Sequence, residues 1–156
     1  MLPAVITKIV GNTIYFDKPL EFDHEGARAD LKAYVANYSR NVRFETENAD
    51  DVPVHQRGHT MFMHSDNIDV RYAEFYELGR TDKSERAFDI ADVDNVESDS
   101  NIKARYPFHF HKTGTGADSE PAMAVGNVVD GAPGWAYVHH SSNADFVRNI
   151  AFDVFG

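Results

Sequence analysis

The sequence feature that most constrains the fold is an internal repeat. The string HSDNIDV at residues 64–70 recurs as HSSNADF at residues 140–146, with identity at the His, Ser, Asn and Asp positions. Shorter motifs place an Asn directly before an apolar residue, beginning at Asn41, Asn67, Asn101 and Asn127. Asn tolerates the left-handed backbone conformation and can stack its amide on the Asn of a neighbouring coil. The repeat therefore predicts coils that stack, each contacting only its neighbours.

The spacing of apolar residues indicates short strands. Apolar residues recur mostly at every second position, in short runs separated by polar corners, and strong helix signals are scarce. This pattern is typical of an all-β chain. With the repeated Asn corners, it predicts a right-handed parallel β-helix over residues 23–156, and a sandwich with Greek-key links is the alternative.

The first 22 residues predict a β-hairpin. The runs VITKIV at residues 5–10 and TIYF at residues 13–16 are joined by Gly11 and Asn12, a favourable two-residue link. We expect this hairpin to form a cap or flap on the solenoid. Further strands are predicted at residues 34–38, 41–46, 59–64 and 68–79.

Composition excludes some partners. The chain has 156 residues, about one domain, and a net charge of -10, which opposes attraction to nucleic acid or an anionic membrane. It has no cysteine, so disulfides and thiolate sites are excluded. The N-terminus lacks a basic segment followed by a long apolar run, so no signal peptide is visible and the compartment stays undetermined.

The chemistry is concentrated in the string RYPFHFHKTG at residues 105–114. His109 and His111 alternate with Phe108 and Phe110, so a strand here would carry both imidazoles on one face and both phenyl rings on the other. Two neighbouring imidazoles can bind a transition metal or exchange protons near neutral pH. Hydrogen-bonded, inert histidines are the alternative.

The same string resembles a known family. RYPFHFHxxG is similar to a signature of the β-helix region in cell-migration-inducing, hyaluronan-degrading proteins, transmembrane hyaluronidases and related bacterial secreted proteins. Further similar blocks follow in the same order, namely SRNV at 39–42, GHTMFMH at 58–64, YAEFYELGR at 72–80, GNVV at 126–129 and PGW at 133–135. The resemblance covers most of residues 34–156. It implies an extracellular, polysaccharide-active β-helix, here without the family's preceding β-rich domain and without its later coils.

From this resemblance we expect a face of His and Arg side chains that acts on or binds a uronate-containing glycan. The candidate catalytic residues are His109, His111 and Arg105. Arg105 would clamp a uronate carboxylate, or pair with an acid such as Asp69. The candidate substrate-binding residues are Trp135, Arg80, Lys83 and Tyr106. Trp135 either stacks on a sugar ring or anchors a strand, and the loop with Arg80 and Lys83 either covers a groove or is solvated.

A metal site is a further expectation. His59 and His64 would lie on opposite faces of a regular strand, and the repeat equates His64 with His140 as a structural corner, so His59 is the better candidate. His59, His109 and His111 together have ligand types that suit Zn or Ni.

The reaction and the assembly stay open. No pair of carboxylates is evident beside the histidines, which favours a histidine-based, lyase-like route over hydrolysis if the chain is an enzyme. The alternatives are a non-catalytic carbohydrate-binding domain and a self-assembling structural solenoid. Because the last coil has no visible cap, we expect a homo-oligomer or a part of a larger protein.

Overall fold

The computed structural model describes residues 4–92 and 101–156, which divide into two compact units, Met1–Asn37 and Tyr38–Gly156. The described chain is almost entirely β-structure, and its helical content is limited to two single 3-10 turns, Val54–Gln56 and Ile90–Asp92. In this part of the chain no helix is long and apolar enough to cross a membrane.

The N-terminal unit contains the predicted hairpin. Strand β1 (Ile6–Val10) pairs antiparallel with β2 (Thr13–Phe16), and Gly11 adopts a φ of 55° at the turn. The strand predicted at residues 34–38 is wrong, because this segment pairs with no neighbour and exposes Tyr34 and Val35. High β-propensity does not produce a strand where no ladder partner is in register.

The second unit is built from three parallel sheets, whose strand orders are β10-β7-β4, β11-β8-β5 and β12-β9-β6-β3. The strands are β3 (Val42–Glu45), β4 (Phe62–Met63), β5 (Asp69–Arg71), β6 (Ala73–Tyr76), β7 (Phe108–His111), β8 (Ala122–Val125), β9 (Val128–Ala132), β10 (Tyr137–His140), β11 (Ala144–Val147) and β12 (Ile150–Val154). Strands β4 to β6, β7 to β9 and β10 to β12 therefore form three successive sets, each contributing one strand to every sheet. The all-β prediction is confirmed, with parallel pairing throughout these sheets.

The corners between strands repeat from set to set. Residues with positive φ follow the first two strands of each set and lie near or directly after the end of the third strand, and the register aligns these residues in three rows. The rows are His64, Lys112 and Ser141; Tyr72, Gly126 and Arg148; and Glu77, Gly131 and Asp153. A left-handed residue at the same place in successive sets keeps the strands in register.

An amide ladder joins the sets next to the second row. Asn127 is fully buried; its Oδ1 accepts a hydrogen bond from the Ala73 backbone N–H at 3.0 Å, and its Nδ2 lies 3.2 Å from Asn149 Oδ1. The Asn149 amide in turn donates to the Ala124 carbonyl at 2.8 Å. Stacked Asn side chains are therefore confirmed at Asn127, although they lie beside the left-handed corner and not in it.

The internal repeat matches the structure with one shift. Asp69 and Asp145 both align with Met123, as the repeat predicts. At the histidines, however, the residue aligned with His140 through His111 is Met63 and not His64, because the path from Met63 to Asp69 is one residue longer than the path from His140 to Asp145.

The core lies between the three sheets and is centred on β7. Phe108 and Phe110 are fully buried, and the Phe108 ring lies 5.1 Å from that of Phe75 and 4.8 Å from that of Phe110. Burying each phenyl ring contributes roughly 2 to 3 kcal/mol. The outward positions of β7 are left to His109 and His111, so the predicted alternation is confirmed.

Candidate functional site

The candidate site lies where β4, β7 and β10 begin. We call it the cationic-aromatic cluster; it consists of His59, Arg80, Lys83, Arg105, Tyr106, His109 and Trp135. His59 precedes β4, the residues at 105 and 106 precede β7, and Trp135 precedes β10. The parallel register that pairs Tyr137 with Phe108 sets Trp135 beside Tyr106 in the adjacent strand set.

A buried threonine fixes the loop after β6 against the segment before β7. The Thr81 hydroxyl donates to the Ile102 carbonyl at 2.6 Å and accepts from the Arg105 backbone N–H at 2.8 Å. The Arg80 backbone N–H also donates to the Arg105 carbonyl at 2.8 Å. The loop is therefore anchored and not simply solvated, and it holds Arg80 near Arg105. Sequence reasoning missed Thr81, since a single Thr in a polar loop carries no distinguishing signal.

The two arginines concentrate positive charge. Burial lowers the pKa of Arg105, and the charge of Arg80 lowers it further. Asp69 forms its ion pair with Arg71 at 2.7 Å, so it is not the partner of Arg105. Among residues 4–92 and 101–156, no ion pair involves Arg80, Lys83 or Arg105.

Tyr106 and Trp135 hold Lys83, the third cation of the cluster. The Tyr106 ring stacks on Trp135 with ring centroids 5.7 Å apart, and Lys83 Nζ lies 3.7 Å from the Trp135 ring centroid. Trp135 remains 48% exposed. It is thus neither a buried strand anchor nor an open sugar platform, because Lys83 covers part of it with an ammonium group held by a cation-π interaction.

Both histidines of the cluster are neutral at neutral pH. Burial, together with the charges of Arg80, Arg105 and His109, lowers the pKa of His59 to about 4. Burial likewise lowers the pKa of His109, which is only 2% exposed. His109 Nδ1 lies 3.4 Å from the Ala104 carbonyl, which assigns the proton to Nδ1. His109 Nε2 is then a buried acceptor, and it has no hydrogen-bond partner among the residues that the structure describes.

His111 lies at the opposite end of β7 from Arg105. Its ring stacks on His140 with centroids 5.3 Å apart and meets the His64 ring edge-on at 5.9 Å. His109 therefore lies in the cluster with Arg105, and His111, whose ring is 5.7 Å from that of His109, contacts a second group of histidines. His64, which follows β4, thus lies with His111 and His140 in one row of three imidazoles.

A metal at His59, His109 and His111 stays a prediction. In the part of the chain that the structure describes, no three His, Asp or Glu side chains are placed to hold a metal ion. The rings of His109 and His111 are 5.7 Å apart at successive outward positions, and the His109 Nε2 is enclosed. This arrangement gives no support to Zn or Ni at His59, His109 and His111.

The chain is similar to several proteins of Dictyostelium discoideum. Two G8 domain-containing proteins are 28% identical over 151 residues and 29% identical over 156 residues, and Communication mutant protein F is 24% identical over 151 residues. Each match covers 97% of this chain, which spans only 9% to 12% of the length of these relatives. No family model and no solved structure matches the chain.

These matches correct the resemblance drawn from short motifs. The relatives are Dictyostelium G8 domain-containing proteins, and nothing in the comparisons indicates the hyaluronan-degrading or transmembrane hyaluronidase family or bacterial secreted proteins. The assignment to that family is therefore wrong. Short blocks such as RYPFHFH satisfy the alternation of an outward and an inward face, which many β-chains share, and so they do not identify a family.

Proposed function

We propose that this chain is a carbohydrate-binding domain that takes a uronate-containing polysaccharide on its cationic-aromatic cluster. The observation that carries the proposal is the gathering of Arg80, Lys83 and Arg105 beside Tyr106 and Trp135. Among the described residues none of these cations has an ion-pair partner, although the chain as a whole has a net charge of -10. Cations that are kept together without carboxylates suit an anionic ligand.

We further propose that the second unit is a right-handed parallel β-helix. Three features support it, namely the three successive strand sets, the aligned left-handed corners and the Asn127 to Asn149 amide ladder. A solenoid of this kind presents successive coils side by side, so that residues distant in sequence form one extended binding face.

Each part of the cluster matches a part of an acidic sugar. The guanidinium groups of Arg80 and Arg105 would bind the carboxylate, with Lys83 as a further cation. The exposed part of the Trp135 ring, which Tyr106 supports from below, offers apolar contact to the sugar ring. The neutral His59 ring can accept a hydrogen bond from a sugar hydroxyl.

The electrostatics favour binding over cleavage. A base whose pKa is about 4 has little driving force to take a proton at neutral pH. No carboxylate is among the charges that act on His59, His109 or Arg105 in the described residues, so a carboxylate pair for hydrolysis is not evident there. The self-assembling solenoid stays a prediction, and the net charge of -10 opposes it.

The test is calorimetric titration with galacturonate hexamers and with the same hexamers methyl-esterified at the carboxyl groups. We expect the acid to bind and the ester to bind at least about tenfold more weakly, because charge-assisted hydrogen bonds are lost. The double variant Arg80→Gln/Arg105→Gln should show a similar loss. Arg71→Gln, which removes a cation paired with Asp69, is the matched control and should bind like the wild type.

Two results would overturn the proposal. The first is equal affinity for the acid and the ester. The second is unchanged affinity in the double arginine variant. If new reducing ends accumulated with the wild type and not with His59→Gln, the chain would be cleaving the glycan and not only binding it.

A further inference from the structure

The histidine ladder, formed by His64, His111 and His140, is a second feature of the sheet β10-β7-β4. We propose that it is an anion subsite that extends the glycan-binding face along β7 and binds further carboxylates of a polyuronate chain under mildly acidic conditions. This inference rests on the proposed function, because it assigns a role to the surface beyond the cationic-aromatic cluster.

A continuous row of rings connects the ladder to the cluster. Trp135 stacks on Tyr106 at 5.7 Å, Tyr106 meets His109 at 5.6 Å, and His109 meets His111 at 5.7 Å. The row ends at His140, 5.3 Å from His111. The row contains five rings, each more than 5 Å from the next, so it is longer than a single sugar ring.

The ladder is open to solvent, although the ring that joins it to the cluster is not. His64 and His140 are exposed and His111 is partly exposed, whereas His109 between them and the cluster is buried. His140 Nδ1 contacts the Ser141 hydroxyl at 3.3 Å, so the ring is positioned by a neutral neighbour. A chain lying along β7 would therefore meet accessible imidazoles directly beyond the buried one.

The charges that act on His111 are all cationic or become cationic on protonation. The groups that act on His111 are His140 on β10, Lys112 at the end of β7 and His64 after β4, and no carboxylate acts on it in the described residues. His109, the remaining imidazole in the row, is buried, and burial lowers its pKa. Partial burial lowers the pKa of His111, and repulsion by the charges of His140, Lys112 and His64 lowers it further. An anionic chain would relieve that repulsion, so ligand binding and proton uptake should be coupled.

Uronate carboxylates stay ionised at the pH where imidazoles gain their protons, since carboxyl groups of this kind titrate near pH 3.5. Acidification from about pH 7.5 to about pH 5.5 therefore adds positive charge to the protein without removing it from the ligand. The face should bind the polyanion more tightly at the lower pH.

The test compares galacturonate hexamers and dimers by titration at about pH 7.5 and about pH 5.5. For the hexamer we expect affinity to rise about tenfold on acidification, the effect of one or two close ion pairs at a solvated surface. The galacturonate dimer should bind only at the cluster, so its affinity should rise much less on acidification. In the triple variant His64→Gln/His111→Gln/His140→Gln the affinity for the hexamer should no longer rise on acidification. In the control variant His24→Gln/His55→Gln it should rise as in the wild type.

Two further measurements separate the possible outcomes. Proton uptake on binding, obtained from titrations in buffers of different ionisation enthalpy, should fall in the triple variant. If that variant does not fold, His140→Gln alone should reduce both the affinity rise and the proton uptake. A rise that persists in a folded triple variant would overturn the ladder subsite while leaving the cluster intact. Loss of binding in Arg80→Gln/Arg105→Gln tests the cluster separately.

Discussion

Burial next to positive charge controls the protonation of His59 and His109. Both rings lie close to Arg105, and for both the main cause of the lowered pKa is loss of hydration. Such a group favours folding only while it stays neutral. At the scale of single residues, the candidate site is therefore sensitive to acid even without a ligand.

We predict that His59 makes the folded state lose stability on acidification. Its folded pKa is about 4 and its ordinary value is 6.5, so between these values the unfolded chain binds more protons. The stability contributed by the neutral ring is present above about pH 6.5 and is lost as the pH falls toward 4. His59→Gln, which cannot be protonated, should show a smaller fall in urea midpoint than the wild type over this range. His24→Gln is the control. If the urea midpoint of His59→Gln fell with pH as steeply as that of the wild type, the attribution of this acid sensitivity to His59 would be wrong.

At the scale of elements, the turns between strands hold the sets in register. Gly114 follows β7 with a φ of 62°, and a Cβ there would lie 2.5 Å from the backbone carbonyl oxygen of Asn143 in the adjacent set. Gly126 has the same φ, but its Cβ would meet only the ring of Tyr72, which is largely exposed. The two glycines share the same backbone strain and differ in whether their neighbour can move.

We predict that Gly114→Ala destabilises the parallel sheets more than Gly126→Ala does. The left-handed conformation alone costs about 1 kcal/mol for a residue with a Cβ. At Gly114 the clash with a neighbouring backbone adds at least about 1 kcal/mol more. Urea unfolding of the two variants measures the difference. Equal losses would mean that the Gly114 corner is not in close contact with the next strand set.

At the scale of the whole molecule, three sheets share one core. Phe108 lies on the sheet β10-β7-β4, and its ring contacts Phe75 of the sheet β12-β9-β6-β3 and Phe146 of the sheet β11-β8-β5. Because one side chain joins all three sheets, they should lose their structure together.

We predict that Phe108→Ala lowers the free energy of unfolding by about 3 to 5 kcal/mol. The loss should appear equally in the fluorescence of Trp135, the only Trp in the chain, and in the far-ultraviolet signal of the sheets. Phe22→Ala, at an exposed ring of the N-terminal unit, should leave the Trp135 transition unchanged. If the unfolding transition of Phe108→Ala shifted in only one of these two signals, the sheets would be unfolding separately.

Local patterns determined which residues face inward and which face outward. The alternation of Phe108 to His111, the Gly11 and Asn12 turn and the match of Asp69 with Asp145 were all predictable, because each depends on the two-residue period of a strand or on a short turn. The same patterns did not identify relatives, since alternation is common to many β-proteins. They also predicted a strand at residues 34–38, which no partner completes.

Tertiary structure alone decided which side chains meet. Lys83 reaches Trp135, Arg80 lies by Arg105, and His111 contacts His140 instead of joining Arg105. These neighbours come from strand sets joined by loops of unequal length, so their pairing depends on inter-strand register, which sequence spacing does not give. The sequence by itself specified outward His, Arg and aromatic side chains on β-strands. Only the stacking of the sets, fixed by corner geometry and the shared core, divided them into a cationic-aromatic cluster and a histidine ladder.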